Sequence, residues 1–229
     1  MPSDAGALWG VCGVDATIGE ELNVSPVPAA KVALPDASVL LTTSGTTGTP
    51  KVVRHSLHRL LGRVRLPKDG ALPCRWLLTF HPGSFAGIQV LLTAILSGSE
   101  LFAFSEPSAT KLAEAAARYE VTHISGTPTF WRAFRIALGE NAGEVPLQQI
   151  TLGGEVADQP TLDMLAASFH GARISHIYAT TEAGALFAVT DGRAGFPARW
   201  LECGVEGVRL RISDGVLEVL SPRSMEGYV

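Results

Sequence analysis

The stretch ASVLLTTSGTTGTPK, Ala37 to Lys51, decides the fold. Its first half is aliphatic and β-branched and predicts a buried strand. Its second half, Thr42 to Lys51, carries five threonines, one serine, two glycines, one proline and one lysine. Gly45 and Gly48 can take positive φ, which lets backbone N–H groups converge on one point and form an anion nest. The hydroxyls of Thr43, Ser44, Thr46, Thr47 and Thr49 add donors without charge, and Lys51 adds one positive charge at the rim. Ligands of open parallel sheets bind outside the carboxyl ends of the strands, so a strand running into such a loop suits a polyphosphate. The loop is not of the Walker type, which needs GxxxxGK followed by Ser or Thr; here Pro50 precedes the lysine and Val52 follows it.

Outward from the loop the pattern alternates. Leu57, Leu60, Leu61 and Val64 fall on one face of a helix with Ser56 as its N-cap. Strands are predicted at RWLLTF (75–80), SELFAF (99–104), VTHIS (121–125), QQITL (148–152) and ARISHIYA (172–179). Helices are predicted at SFAGIQVLLTAIL (84–96), SATKLAEAAARYE (108–120), TPTFWRAFRIAL (127–138) and DQPTLDMLAASFHG (158–171). Thr127 before Pro128 is a helix start, because proline's missing N–H costs nothing at the first helical position. Repeated strand–helix–strand units imply an α/β fold, a mostly parallel sheet flanked by helices. From about Phe196 the texture changes, and VRLRIS and VLEVLS around Asp214-Gly215 predict a hairpin. The division expected is an irregular lead-in over 1–37, an α/β nucleotide-binding core over 38–195 and a small β subdomain over 196–229.

Composition bounds the rest. The 229 residues are 46% hydrophobic and 17% charged, with net charge −4. That is globular, and it disfavours broad nucleic-acid binding. Cys12, Cys74 and Cys203 are scattered and odd in number, which reads as reduced thiols of a cytoplasmic protein. The N-terminus lacks a signal-peptide pattern, and the apolar run Ile88–Leu96 is too short to span a bilayer.

Three more segments agree with the phosphate reading: ITLGGEVAD (150–158), HIYATTEAG (176–184) and SPRSMEGYV (221–229). With the loop, and in this order, they resemble the adenylate-forming superfamily of acyl- and aryl-CoA synthetases, luciferases and peptide-synthetase adenylation domains. The resemblance covers roughly Ser38 to Val229. It implies that Thr43, Ser44, Gly45, Thr46, Thr47, Gly48 and Lys51 grip the β- and γ-phosphates of ATP. It implies that Gly153, Gly154, Glu155 and Tyr178 line the adenine, and that Thr181 and Glu182 contact the α-phosphate, with Glu182 holding Mg²⁺. Thr181, Glu182 and Lys51 are thereby the catalytic candidates. Ser84, Gly87, Gly126, Thr127 and Ala179 are candidates for the acyl pocket. The implied activity is ATP-dependent activation of a small-molecule carboxylic acid as its acyl adenylate, with transfer to the thiol of CoA or of a phosphopantetheinyl carrier protein. By themselves, Glu182 suits a solvated or ion-paired carboxylate, Tyr178 a core position, and Gly153-Gly154 an ordinary turn.

The sequence departs from the family pattern at four points. Ala179 stands where glycine is usual, and Ser84 where many members carry histidine. Phe130 and Trp131 read as core residues of an amphipathic helix. The segment before the loop is short. The chain stops at MEGYV, before the TGD motif, hinge and lysine-bearing C-terminal domain of the family, so a truncated or split core is expected, with very slow adenylation by itself and a complementary C-terminal domain or chain as partner. A non-catalytic adenylate-binding or docking protein is the alternative, which a decayed phosphate loop would mark. A γ-phosphotransferase would need a base, for which His55, His58 and His123 are candidates only in name; His55 and His58 flank a helix start and read as solvated or packing residues.

Overall fold

The computed structural model describes residues 16–18, 24–26, 38–43, 51–62, 64, 74–105 and 107–228. The chain forms two compact units, residues 1–60 with 225–229 and residues 61–224.

In the first unit, β1 (Ala16–Ile18) pairs antiparallel with β2 (Val24–Pro26). β3 (Ser38–Thr43) pairs antiparallel with β4 (Lys51–Ser56), Thr43 opposite Lys51. The strand that leads into the glycine-rich segment therefore lies outside the parallel sheet, contrary to the placement inferred from sequence. β4 is the reason: Val52, Val53 and His55 are buried on it, and its antiparallel pairing with the strand just before it captures β3. The helix expected next, α1 (Leu57–Leu61), begins where its apolar face begins, and the Arg59 N–H donates to Ser56 Oγ at 3.3 Å.

The second unit is built on a six-stranded sheet. In chain order its elements are β5 (Arg75–Leu78), α2 (Phe85–Leu96), β6 (Glu100–Phe102), α3 (Ala109–Arg118), β7 (His123–Gly126), α4 (Pro128–Leu138), β8 (Gln149–Leu152), α5 (Gln159–Ser168), β9 (Arg173–Thr180) and β10 (Gly184–Val189). The strand order is β10-β9-β8-β7-β5-β6. Every pair is parallel except the hairpin of β9 with β10. This is the α/β, mostly parallel architecture expected. Each long helix starts on its own cap: Ser84, Ser108, Thr127 and Asp158 accept from the N–H of Gly87, Lys111, Phe130 and Thr161.

The chain runs from β5 out to edge strand β6, then crosses back to β7 and continues through β8 to β9. Right-handed crossovers in opposite directions place α2 on one face and α3, α4 and α5 on the other. The packing agrees, with α3 on α4, α4 on α5, and α2 on β5 and β6. The main core lies on the α4 face. Trp131 and Phe134, both 0% exposed, sit there with Leu77, Ile124, Ile150 and Leu165. The Trp131 indole N–H donates to the Thr151 carbonyl at 3.1 Å, so its one polar atom is satisfied. Trp131 is thus a core residue, as its helical position suggested.

A second cluster forms beyond β10. Leu186, Phe187 and Val189 pack with Tyr178, Phe196 and Trp200, the last on the short helix α6 (Trp200–Cys203). β11 (Arg209–Ser213) joins through Val208 and Leu210 and pairs antiparallel with β12 (Val216–Leu220). Asp214 (φ 50°) and Gly215 (φ 77°) turn this hairpin with positive φ at both central residues, as Asp-Gly predicts. The short strand β13 (Gly227–Tyr228) belongs to the first unit, paired with β4.

Candidate functional site

The carboxyl ends of β5, β7, β8 and β9 lie along one edge of the parallel sheet. All the sequence-predicted residues of the second unit follow those ends: Ser84 and Gly87 after β5, Gly126 and Thr127 at the end of β7, Gly153 to Glu155 after β8, and Tyr178 to Glu182 at the end of β9. The reversal in strand order falls between β5 and β7, and open α/β sheets bind ligands at such a switch point. The opposite edge is closed by structural bonds. There the Arg75 N–H donates to Thr122 Oγ1, Arg75 pairs with Glu100 and Glu120, and the Arg173 N–H donates to the Gln148 carbonyl.

Close backbone approach explains two glycines. A Cβ on Gly87 would lie 2.0 Å from the His81 carbonyl oxygen, so α2 could not start so near the 81–82 turn with a larger residue. A Cβ on Gly126 would lie 2.3 Å from Cδ1 of Phe130. Ser84 uses its hydroxyl twice in this turn, accepting from Gly87 N–H at 3.1 Å and donating to His81 O at 2.7 Å. Thr127 caps α4. Ala179 is half-buried and pairs with Ala185.

The Gly153-Gly154-Glu155 turn is tied back to the neighbouring strand and helix. Gly153 N–H donates to the Gly126 carbonyl at 3.1 Å, and Gly154 takes φ +81°. One carboxylate oxygen of Glu155 accepts from both the backbone N–H (3.0 Å) and the hydroxyl (2.7 Å) of Thr129, in the first turn of α4. The Thr129 hydroxyl, helped by Thr127 and by the Arg132 guanidinium, holds the Glu155 carboxyl below its ordinary range. A negative charge at a helix N-terminus is favoured in its own right. Sequence reasoning assigned Glu155 a ligand-lining position and missed Thr129, which lies 26 residues away.

β9 runs on past the last residue of β8, and Ile177 to Thr180 pair only with β10. Tyr178 in this extension stacks on Phe187 at 4.7 Å and meets Phe196 edge-on at 5.5 Å. Burial pushes its phenol upward. Thr181 and Glu182 sit in the turn between β9 and β10, both half-buried. Thr180 Oγ1 accepts the Ala183 N–H at 2.9 Å and helps to shape that turn. Among the described residues no group of three or more His, Cys, Asp or Glu side chains could cage a metal. The hard oxygen donors of Thr181 and Glu182 fit Mg²⁺, which keeps waters and is held by one or two carboxylates plus substrate phosphates.

In the first unit, Ser44, Gly45, Thr46, Thr47 and Gly48 lie outside the described residues. The residues flanking them are described. Thr43 Oγ1 is shielded from solvent and has no hydrogen-bond partner among the described residues; an orphaned hydroxyl beside this segment suits a phosphate oxygen. The Lys51 ammonium sits 5.0 Å from the Tyr228 ring centroid. His55 is buried, and His123 packs against Trp76 with its Nδ1 2.8 Å from Thr122 Oγ1. Both act in packing; for His55 burial decides between the solvated and packing readings. Among the described residues no helix is long and apolar enough to cross a membrane.

Known proteins share this chain's sequence pattern and its fold. The chain is 30% identical over 193 residues to a probable 2-succinylbenzoate–CoA ligase of Mycobacterium tuberculosis, covering 79% of this chain and 45% of that protein. It is 29% identical over 139 residues to the 2-succinylbenzoate–CoA ligase of Bacillus velezensis, covering 59% of this chain and 28% of that protein. The chain thus spans less than half the length of these curated relatives. The fold matches a double mutant of o-succinylbenzoate CoA synthetase from Bacillus subtilis, bound with a product analogue, with TM-score 0.63 and 23% identity, covering 85% of this chain and 43% of that one. It also matches the nonribosomal peptide synthetase FmoA3 bound to AMPPNP, with TM-score 0.67 and 17% identity, covering 91% of this chain and 24% of that one. The model of the AMP-binding enzyme family matches residues 9–229, and the chain belongs to that family.

Proposed function

We propose that this chain activates a carboxylic acid with ATP, forming an acyl adenylate whose acyl group passes to the thiol of CoA or of a carrier protein. The observation that carries the proposal is that glycines, hydroxyls and Glu182 all follow the carboxyl ends of the sheet's parallel strands, on the edge that holds its switch point. The known activities of the longer relatives support it.

The substrate carboxylate attacks the α-phosphorus, the bond from that phosphorus to the bridging oxygen breaks, and pyrophosphate leaves. Both reactants are anionic, so charge repulsion makes up much of the barrier. Mg²⁺, when bound, offsets that repulsion. Glu182 supplies the carboxylate that holds it, and Thr181 donates to an α-phosphate oxygen. By the family resemblance, Thr43, Ser44, Gly45, Thr46, Thr47, Gly48 and Lys51 supply donors to the β- and γ-phosphates, and donors aimed at developing charge stabilise a departing pyrophosphate. Gly153, Gly154, Glu155 and Tyr178 line the adenine. Ser84, Gly87, Gly126, Thr127 and Ala179 border the acid. We further propose that a C-terminal segment, in the same polypeptide or another, completes the enzyme.

The test is a panel of aliphatic and aromatic carboxylic acids supplied with ATP and Mg²⁺ to this chain joined to its C-terminal segment. AMP and pyrophosphate formed in equal amounts, and only with particular acids, support the proposal. ADP as product makes the protein a phosphotransferase, and nucleotide binding with no product from any acid makes it a binding protein. Either result overturns the proposal.

A further inference from the structure

β10 contains a bulge beside the proposed metal site. Ala185 pairs with Ala179 and Phe187 with Tyr178, so Leu186 is the extra residue opposite the β9 ladder. Bulges bend a strand and re-aim the residues beside it, and they recur next to active sites. This bulge is held by one side chain from far along the chain. Arg223 Nη1 donates to the Leu186 carbonyl at 2.8 Å, and Arg223 Nη2 donates to the Glu206 carbonyl at 2.6 Å. Arg223 also braces the turn with its backbone. A Cβ on Gly184, at φ +71°, would lie 3.0 Å from the Arg223 carbonyl oxygen. Its own N–H donates to Ser221 Oγ at 3.1 Å, which orients the segment.

A guanidinium can make two such bonds at once because its donors lie in a fixed fork. It thus ties β10, two residues past Gly184, to the bend at Glu206, where φ is +48°. Gly184 directly follows the turn that carries Thr181 and Glu182. We infer that Arg223 is a positioning residue: its clamp on the Leu186 bulge fixes where the Glu182 carboxylate stands relative to the carboxyl edge of the sheet. The inference rests on the proposed role of Glu182 as metal holder.

Two readings of Arg223→Ala and Arg223→Lys in the full chain test it. The first is acid-dependent exchange of labelled pyrophosphate into ATP, titrated with Mg²⁺. Residues that orient a metal ligand cost about 10–100-fold in metal affinity or activity when removed. Arg223→Ala is expected to raise half-saturating Mg²⁺ about tenfold while the KM for the acid holds, and Arg223→Lys to recover part of the loss. The second is amide hydrogen exchange, expected to quicken over Ala183–Phe187 in Arg223→Ala and not over β7 or β8. Unchanged Mg²⁺ dependence together with unchanged amide exchange overturns the clamp. A fall in thermal stability with unchanged Mg²⁺ dependence overturns the positioning role. If the wild-type chain, joined to its C-terminal segment, exchanges no pyrophosphate with any acid, the functional proposal and the positioning role fall together, while amide exchange still decides whether the clamp exists.

Discussion

Gly87→Ala is the substitution whose effect follows most directly from the coordinates. The new methyl would stand 2.0 Å from the His81 carbonyl oxygen, 2.8 Å from its carbon and 3.0 Å from Pro82 Cα. Ordinary contact begins at 3.4 Å, so the oxygen must retreat by 3.4 − 2.0 = 1.4 Å. The obstacle is backbone and cannot swing aside. The same carbonyl accepts from Ser84 N–H at 2.9 Å and from Ser84 Oγ at 2.7 Å, so its retreat strains the cap of α2. Overpacking of this kind costs about 1–3 kcal/mol, and each strained hydrogen bond about 0.5–1.5 kcal/mol. Replacing a helical glycine by alanine returns about 1 kcal/mol. The net expectation is a loss of about 1–5 kcal/mol. At about 2–4 °C per kcal/mol for a chain of this size, Tm falls by roughly 2–20 °C. Circular dichroism melts of both proteins measure it, with Gly143→Ala as control. At Gly143 a Cβ meets nothing within 4 Å, and alanine there is expected to be neutral or to stabilise by up to about 1 kcal/mol. A Gly87→Ala protein as stable as wild type would refute the close approach.

Three further predictions follow from packing and charge. Gly126→Ala drives a methyl into the Phe130 ring and is expected to cost about 1–3 kcal/mol; adding Phe130→Ala should recover part of the loss, and a urea-unfolding double-mutant cycle without coupling would contradict the contact. Burial holds the His176 ring below 6.5, its Nε2–H donating to the Arg193 carbonyl at 3.0 Å. The unfolded chain then binds a proton that the native state refuses, so stability is complete above about pH 6.5 and falls as pH drops towards the folded value; His176→Gln should flatten that fall in urea midpoints. Glu155 has a depressed pKa through its bonds to Thr129, so its contribution is complete above 4.5 and lost as pH falls through the folded value; melts of Glu155→Gln against wild type at neutral and acid pH should converge as the medium acidifies.

Local chemistry was legible in the sequence, and distant pairing was not. Ser84, Ser108, Thr127 and Asp158 cap the helices they precede, because a cap is decided within four residues. The core role of Trp131 followed from helical spacing. β4 was missed as a strand because its pairing with β3 is cross-strand information, while its last residue, Ser56, also reads as a helix start. β10 was missed because GALFAV shows little contrast between apolar and polar positions and its register breaks at Leu186. The Glu155–Thr129 and Arg223–Leu186 contacts join residues 26 and 37 positions apart. Neither arginine nor glutamate announces a backbone partner in its type alone.

The proposed binding of ATP at the carboxyl edge of the parallel sheet, with Glu182 at the metal, is open to nuclear magnetic resonance with Mn²⁺·ATP as a paramagnetic probe. The expected result is loss of amide signals at Gly153–Glu155 and Ala179–Glu182, with those of Thr122, Gln148 and Ala172 at the other edge unaffected. Signals lost at the Thr122 edge, or retained at both, would contradict the account.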